Sequence, residues 1–426
     1  MAPAIDEQIA KIIIWVLYFV GLYFSLFWLS VLITNPQPNS RRKGIYTPAL
    51  TIILPMWNEE DTLTKTLESV YALNYPKNKL KVICVDNNST DDTSKILKKL
   101  NKKWDFLHLT EKNQGKHNAM NLGLKYTKTP FFACLDADSF VDKEALMEMM
   151  VEFDHKKVGA VMPIMKVDNP ENILQRVQWF EYIMNIFYKF IMGKLDCIHV
   201  APGPLSIYRT GVVNKLGGFK KAHLTEDLEI ALRLQDNHYQ LKQSMGGIVY
   251  TKSPKTLKTF VGQRTRWYQG TFLNIKDYKH FLFNKKYEEF GIFHIPMVGL
   301  TGLLTVVGIL TIMYLFIKQI YHMIKNMYLT HFDFVTYITT WNWNTTLLDL
   351  DWQTIFTSGV LFALIFIIIY LSFIATKERI SIMKNMKYFL MFLYYFVIYK
   401  FIMGYIWCKV LIKIVFNKAN SWDKVN

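Results

Sequence analysis

The sequence predicts an α/β domain held between membrane-spanning helices. Three observations carry this. Apolar runs long enough to cross a bilayer flank a long polar stretch. Inside that stretch, short apolar segments alternate with helical ones, and polar residues gather where the apolar segments end. Three short motifs follow one another there: Asp136-Ala137-Asp138, Thr225-Glu226-Asp227, and Gln263-Arg264-Thr265-Arg266-Trp267. Each is weak alone; their order and spacing make a strong signal.

The 426 residues, 51% hydrophobic and 15% aromatic, suffice for one sizeable domain and several membrane helices. The first apolar run, residues 12–33, is too long for a signal peptide. It ends at Thr34-Asn35-Pro36 before Arg41, Arg42 and Lys43, which reads as an uncleaved span. Residues 292–317 and 355–375 are two further spans. Residues 388–416 are less clean, because they carry Lys400, Lys409 and Lys413. They read as a span ending near Trp407 with snorkelling lysines beyond it, or as an interfacial or broken helix.

Basic residues orient the chain. Arg41, Arg42 and Lys43, then Lys377, Arg379, Lys384 and Lys387, belong on the cytoplasmic side. The expected division is a span with its basic flank (1–43), a cytoplasmic domain (44–288) and a C-terminal membrane region (289–426). Residues 318–353 then lie outside as a membrane-surface hairpin, with the sequon Asn344-Thr345-Thr346. The net charge of +16 fits positive-inside bias, attraction to anionic lipid, and affinity for a diphosphate. No basic recognition helix accompanies it, which argues against nucleic acid. Cys84, Cys134, Cys197 and Cys408 form no C-x-x-C pair and read as reduced. Cys84 and Cys134 sit in apolar runs, as core residues do.

Between the spans the elements follow in order. Residues 49–55 read as a buried strand and 58–73 as a helix. Residues 81–86 are a strand ending on a carboxylate, and 92–100 a helix opened by Ser89-Thr90-Asp91. Residues 106–110 are a strand, 113–125 a loop and helix, and 130–136 a strand ending on carboxylates. Continuous apolar strands alternating with helices indicate a parallel sheet. Residues 173–193 place aromatic residues at helical spacing, as a core helix or as an amphipathic helix lying on the membrane.

In an extended segment Asp136 and Asp138 point the same way and suit a hard divalent cation, Mg²⁺ or Mn²⁺, bridged to diphosphate oxygens. A purely structural pair is the bland reading. Asp227 can take a proton; alternatively Thr225 caps a helix whose first turn holds Glu226 and Asp227. Arg264 and Arg266 can fork onto phosphate oxygens, and Trp267 can stack on a sugar; an interfacial cluster is the plain alternative. Asp86 can serve a turn or a ligand, and Lys116 a nucleotide or solvent.

Together with Pro55-Met56-Trp57-Asn58-Glu59, Val85 to Asp91, Gly115-Lys116 with Asn118 to Gly123, Gly203 to Arg209 and Gly217-Gly218-Phe219, these motifs resemble the membrane-integrated family 2 glycosyltransferases. That group includes cellulose, chitin, hyaluronan and poly-N-acetylglucosamine synthases. The likeness covers most of residues 49–290 and the flanking spans. It implies a GT-A (Rossmann-like) catalytic domain and an α-helical transmembrane bundle in the cell membrane. Pro55, Asn58, Glu59, Asp86, Lys116, Asp136, Gln263, Arg264 and Arg266 would then bind the nucleotide-sugar. Asp138, with Asp136, would hold the metal, and Asp138 is the more direct ligand. Asp227 would be the general base with Glu226 shaping the site, and Trp267 would carry the acceptor. Residues 251–259 carry Lys252, Lys255 and Lys258 but no Phe-x-Val-Thr, so cellulose-type gating is not expected.

The implied activity is inverting, processive transfer from a UDP-sugar to a growing polysaccharide that leaves through the protein's own helices. UDP-N-acetylglucosamine comes first as donor and UDP-glucose next. Four spans are few for a pore, which leaves room for a homodimer or an accessory subunit. Two alternatives stand: transfer of one sugar to a lipid carrier such as polyprenyl phosphate, and a scaffold without catalysis. The Gln-x-x-Arg-Trp signature opposes the first, and the full set of acidic residues opposes the second.

Overall fold

The computed structural model describes residues 5–35, 46–329, 331–333, 335, 352–378 and 386–416. The sequon at Asn344, the flank Arg41 to Lys43, and Arg379 and Lys384 lie outside them. Helix α1 (Ile5–Thr34) precedes a domain built as β1 (Leu50–Met56), α2 (Leu63–Tyr71), β2 (Leu80–Asp86), α3 (Thr93–Leu100), β3 (Leu107–Thr110), α4 (Lys116–Tyr126) and β4 (Phe131–Cys134). It continues as β5 (Ser139–Val141), α5 (Ala145–Met150), β6 (Val158–Val167), α6 (Ile173–Gly193), β7 (Ser206–Arg209), α7 (Thr210–Lys215), α8 (Glu226–Asp236), β8 (Gln240–Thr251) and α9 (Leu257–Asp277). Then come α10 (Ile295–Leu329), α11 (Trp352–Thr376), α12 (Met386–Tyr394) and α13 (Lys400–Val415).

The eight strands form one sheet in the order β3-β2-β1-β4-β7-β6-β8-β5. The parallel expectation holds for β3, β2, β1 and β4. Beyond them the sheet is mixed: β7 runs antiparallel to β4 and β6, and β5 antiparallel to β8, while β6 and β8 pair in parallel. Period-two alternation sorts the strand residues onto two cores. Ile52, Leu54 and Cys84 pack with Leu63, Leu67 and Val70 of α2 on one face. Ile53, Ile83 and Val85 pack with Ala119, Met120 and Leu124 of α4 on the other. Each such buried side chain contributes about 1.5–3 kcal/mol. All four cysteines are free; Cys84, Cys134 and Cys197 are buried and Cys408 is half-buried.

Four helices among the described residues are long and apolar enough to cross a membrane: Gln8–Thr34, Phe290–Leu329, Trp352–Thr376 and Leu390–Val415. The second runs 40 residues, about 60 Å at 1.5 Å per residue. It therefore reaches well into the stretch read as an outer hairpin. The last does not stop near Trp407. A π-turn over Tyr395–Tyr399 joins α12 to α13, which continues to Val415.

Helix α6 is neither a plain core helix nor one lying freely on a membrane. A capping box of Asn172 and Gln175 starts it. It then packs on β6 and β8 and on α11 and α12. Phe180 is fully buried between them, its ring 4.7 Å from Tyr395 and 4.9 Å from Phe392. The apolar spacing was real, but two different partners share it.

Candidate active site

A cavity of about 1210 Å³ opens where β1 and β4 end, between the α/β domain and the apolar helices. Pro55 shows why it opens there. The β1–β4 ladder stops at Ile53 and Cys134, so beyond it β1 tolerates a residue with no N–H. Diverging strands leave a crevice at their carboxyl ends, the usual ligand position in such sheets.

Asp136 and Asp138 lie in the turn from β4 to β5, not in an extended segment as their spacing suggested. Both carboxylates still line the cavity. Lys116 at the start of α4 pairs with Asp136 at 2.6 Å and with Glu226 at 3.5 Å. Ser139 donates to Asp138 Oδ1 at 3.0 Å. Burial, then the neighbouring carboxylates Asp136 and Glu59, push the Asp138 carboxyl up to about 6. Gly203 lies over this group; a Cβ there would sit 2.5 Å from Lys116 Nζ and 2.6 Å from Asp136 Oδ2. Only glycine lets the backbone approach so closely.

Glu226 and Asp227 open α8 and line the same cavity. Burial, then the Glu226 charge, push the Asp227 carboxyl up to about 6, against Lys116. Leu228 N–H donates to Asp227 Oδ1 at 2.9 Å. Thr225 occupies the N-cap position, yet its side chain makes no capping bond. Its Oγ1 instead accepts from Asn274 Nδ2 at 2.8 Å, tying α8 to α9. Gly270 of α9 allows this approach, since a Cβ there would overlap Thr225.

The arginines divide. Arg266 lines the cavity with Gln263 and Trp267. Arg264, expected on phosphate, is fully buried and does not line it. Its Nη2 donates to Glu181 of α6 at 2.6 Å, and its guanidinium lies 4.2 Å from the Trp267 ring centre. Arg264 thus holds Trp267 in place. The physical reason is helical period: α9 is a helix, and residues i and i+2 face nearly opposite ways.

Asp86 ends β2, is buried, and accepts from Ser89 N–H at 3.0 Å; Asn87 beside it is the residue that lines the cavity. Asn87 Oδ1 also accepts from Gly115 N–H at 2.8 Å, fixing the turn before Lys116. Asn58 has φ +56°, and its Oδ1 accepts from Thr90 N–H at 2.8 Å. Thr62 donates to Glu59 Oε2 at 2.9 Å. Asn58 and Glu59 both line the cavity. Some motif residues are scaffold: Asn121 exchanges two 2.8 Å bonds with the Phe219 backbone after the positive-φ pair Gly217 and Gly218.

Sequence reasoning missed Glu181, Lys189 and His199, which also line the cavity. A carboxylate inside the aromatic run of α6 was the available signal for Glu181. Burial, then Lys189, push the His199 imidazole down to about 4. Lys409 and Lys413, read as snorkelling beyond a span, line the cavity too.

Residues 51–217 match the family model described as Glycosyl transferase family 2. Residues 51–217 therefore form a family 2 glycosyltransferase domain of GT-A type, and among the described residues four helices are long and apolar enough to cross a membrane. Among curated proteins it is similar to a Staphylococcus aureus protein named Poly-beta-1,6-N-acetyl-D-glucosamine synthase, 31% identical over 224 residues, 52% of this chain and 54% of that one. A Staphylococcus epidermidis protein of the same name is 27% identical over 266 residues, 60% of this chain and 64% of that one. The chain spans about half the length of the first of these relatives. In fold it resembles a mannosyltransferase from Pyrobaculum calidifontis, whose structure holds GDP-Man and Mn²⁺, at a TM-score of 0.64. That likeness covers 97% of this chain and 100% of the other, at 16% identity.

Proposed function

We propose that this protein is an inverting, processive polysaccharide synthase that polymerises N-acetylglucosamine from UDP-N-acetylglucosamine. The single observation that carries this is convergence. Asp136, Asp138, Glu226, Asp227 and Trp267, from three separate stretches of chain, line one cavity. The similarity to staphylococcal poly-N-acetylglucosamine synthases supports the sugar and the repeated addition.

In this reading the diphosphate lies near Asp136, Asp138 and Arg266, and the nucleoside near Asn58, Glu59 and Asn87. Among the described residues no group of three or more His, Cys, Asp or Glu is arranged to hold a metal by itself. Two carboxylates with crowded negative charge nevertheless suit a hard cation that takes its other oxygens from a diphosphate. Mg²⁺ or Mn²⁺ held by Asp138 and Asp136 would stabilise charge on the leaving diphosphate. The Mn²⁺ in the mannosyltransferase structure accords with this. Lys116 orients Asp136 and Glu226. Trp267, backed by Arg264, presents the acceptor sugar. Asp227 takes the proton of the acceptor hydroxyl as its oxygen bonds to the anomeric carbon. The bond from that carbon to the diphosphate breaks, UDP leaves, and the centre inverts. We place the domain at the cytoplasmic face, where its basic flanks point.

The test is incubation of purified protein with UDP-N-acetylglucosamine or UDP-glucose and Mn²⁺, followed by linkage and length analysis. A β-linked N-acetylglucosamine polymer is expected. Glucose incorporation would change the donor, and one sugar per acceptor would remove processivity.

A further inference from the structure

Two histidines join the cavity wall to the start of an apolar helix, and the donor chemistry leaves them unused. His199 lines the cavity from the connector between α6 and β7. His294 closes the π-turn Phe290–His294 that leads into α10. The two rings meet directly, His294 Nε2 to His199 Nδ1 at 2.7 Å. Helix α8, which carries Asp227, brackets His199 on both sides. Gln235 Nε2 donates to the Ile198 carbonyl at 3.1 Å, and Ala201 N–H donates to the Asp227 carbonyl at 3.2 Å. Lys189 of α6 is a neighbour of both: the Asp227 charge acts on its ammonium, and its own charge acts on His199. His199 is thus built into the wall beside the proposed base.

This pair fixes which nitrogen of His199 carries its proton. Burial, then Lys189, hold the imidazole down at about 4, so at neutral pH it has a single N–H. A bond between two imidazoles needs one donor and one acceptor, and a neutral His199 leaves two arrangements. In the first, His199 donates from Nδ1, His294 accepts at Nε2, and the proton of His294 lies on Nδ1. In the second, His294 donates from Nε2, His199 accepts at Nδ1, and the proton of His199 lies on Nε2. The surroundings of His294 decide between them. It is fully buried, with the rings of Phe290 and Tyr188 at 5.7 and 6.3 Å. Its Nδ1 is buried with no hydrogen-bond partner among the described residues. Buried N–H groups without an acceptor are rarer than acceptors left open. The second arrangement follows, and His199 has an Nε2–H left to offer the cavity.

We propose that His199, its tautomer set by His294, donates Nε2–H to the acetamido carbonyl oxygen of the acceptor sugar and so selects an N-acetylated chain end over one with a free amine. This rests on the transfer reading above and names the acceptor chemistry beside its base. A carbonyl oxygen only accepts, which matches a fixed donor. A sugar ammonium only donates, so it would set N–H against N–H, and the Lys189 charge repels it as well. His199 touches the sugar, and His294 is a positioning residue that acts through it. No bond is made or broken at either ring.

The experiment uses the full chain in phosphatidylcholine nanodiscs with UDP-N-acetylglucosamine and Mn²⁺ at neutral pH. It compares two N-acetylglucosamine oligosaccharides as acceptors, identical except that the terminal sugar of one carries a free amine. The acetylated end should be preferred roughly tenfold or more in kcat/KM, the scale of one hydrogen bond. His199→Phe should cut that preference to about twofold, mainly through KM, with UDP affinity retained. His199→Gln keeps a donor and should restore part of it. His294→Phe should weaken the preference, and His294→Gln, which can still donate to His199 Nδ1, should keep it. Equal use of the two acceptors overturns the proposal, and this comparison needs no variant. A preference unchanged in His199→Phe overturns it too, since another group would then read the acetamide. A second readout needs no turnover. Nitrogen NMR of histidine-labelled protein, with the His199 signals identified by their loss in His199→Gln, should show Nε2 protonated and Nδ1 bare. The reverse tautomer overturns the donor role, and a tautomer unchanged in His294→Phe removes His294 from it. Polymer made equally well from either end sinks only this inference. No transfer to any acceptor sinks the function reading as well.

Discussion

At the scale of single residues, the two carboxyls pushed up to about 6 face different tests. If Asp138 holds the cation, Asp138→Asn should nearly abolish turnover even in excess Mn²⁺, and chelation of the unaltered protein should do so reversibly. Full activity in a chelator would end the metal assignment. Asp227→Asn keeps the shape and removes the proton acceptor. UDP affinity should stay within a few-fold while kcat falls by roughly 10²-fold or more. A base must be ionised, so kcat/KM should climb with pH up to about 6 and then level. The same group strains the fold. Its folded value lies above the ordinary 3.8, so the folded state holds its proton more tightly, and stability falls as pH rises from about 4 to about 6. Asp227→Asn should therefore raise the unfolding free energy at pH 7.5 by about 3 kcal/mol, and the gain should vanish below pH 3.8. Thermal unfolding of the two proteins across that range reads the sign directly. An unchanged or lowered stability at pH 7.5 would mean Lys116 already offsets the burial.

At the scale of elements, α9 and α6 act as a pair. The Arg264–Glu181 bridge joins them with the guanidinium fully buried. Removing one partner of such a pair leaves a charge without compensation and costs about 3–5 kcal/mol. Glu181→Ala should lower stability on that scale. It should also loosen Trp267, so polymer synthesis should drop much further than UDP binding. Loss of stability with synthesis per folded molecule unchanged would show that Arg264 supports the fold without positioning Trp267. Helix α8 depends on α9 in a different way, through Thr225, Asn274 and the close approach at Gly270.

At the scale of the whole molecule, the question is which face of a membrane the cavity serves. If the domain lies inside, as proposed from its basic flanks, Asn344→Cys should react with an impermeant thiol reagent added to whole cells, and Lys384→Cys should not. Free cysteines Cys84, Cys134 and Cys197 are buried and should give little background. The opposite labelling pattern would move the cavity to the outer side and with it the source of donor. Helix α13 complicates a simple count of crossings. Tyr268 stacks on Trp407 at 4.6 Å and Phe260 lies 5.8 Å from Tyr399, so the last apolar helix runs beside α9.

The sequence alone determined what depends on local pattern. Run length identified the four apolar helices, strand-helix alternation identified β1 to β4, and the carboxylates at the ends of the second and fourth strands marked the crevice. Local reasoning works there because side-chain period and helix length are properties of neighbouring residues. Tertiary structure decided what depends on contacts between distant segments. It set β7 and β5 antiparallel to their neighbours while β6 and β8 pair in parallel, because a strand's direction is fixed by the connection that returns it and not by its composition. It sent Arg264 inward to Glu181 and left Arg266 at the cavity, because α9 proved helical and 3.6 residues per turn separates i from i+2. It brought Lys189, Lys409 and Lys413 to line one cavity although more than two hundred residues separate the first from the others. A lysine's partners are set by packing in three dimensions, and the linear chain carries no record of them.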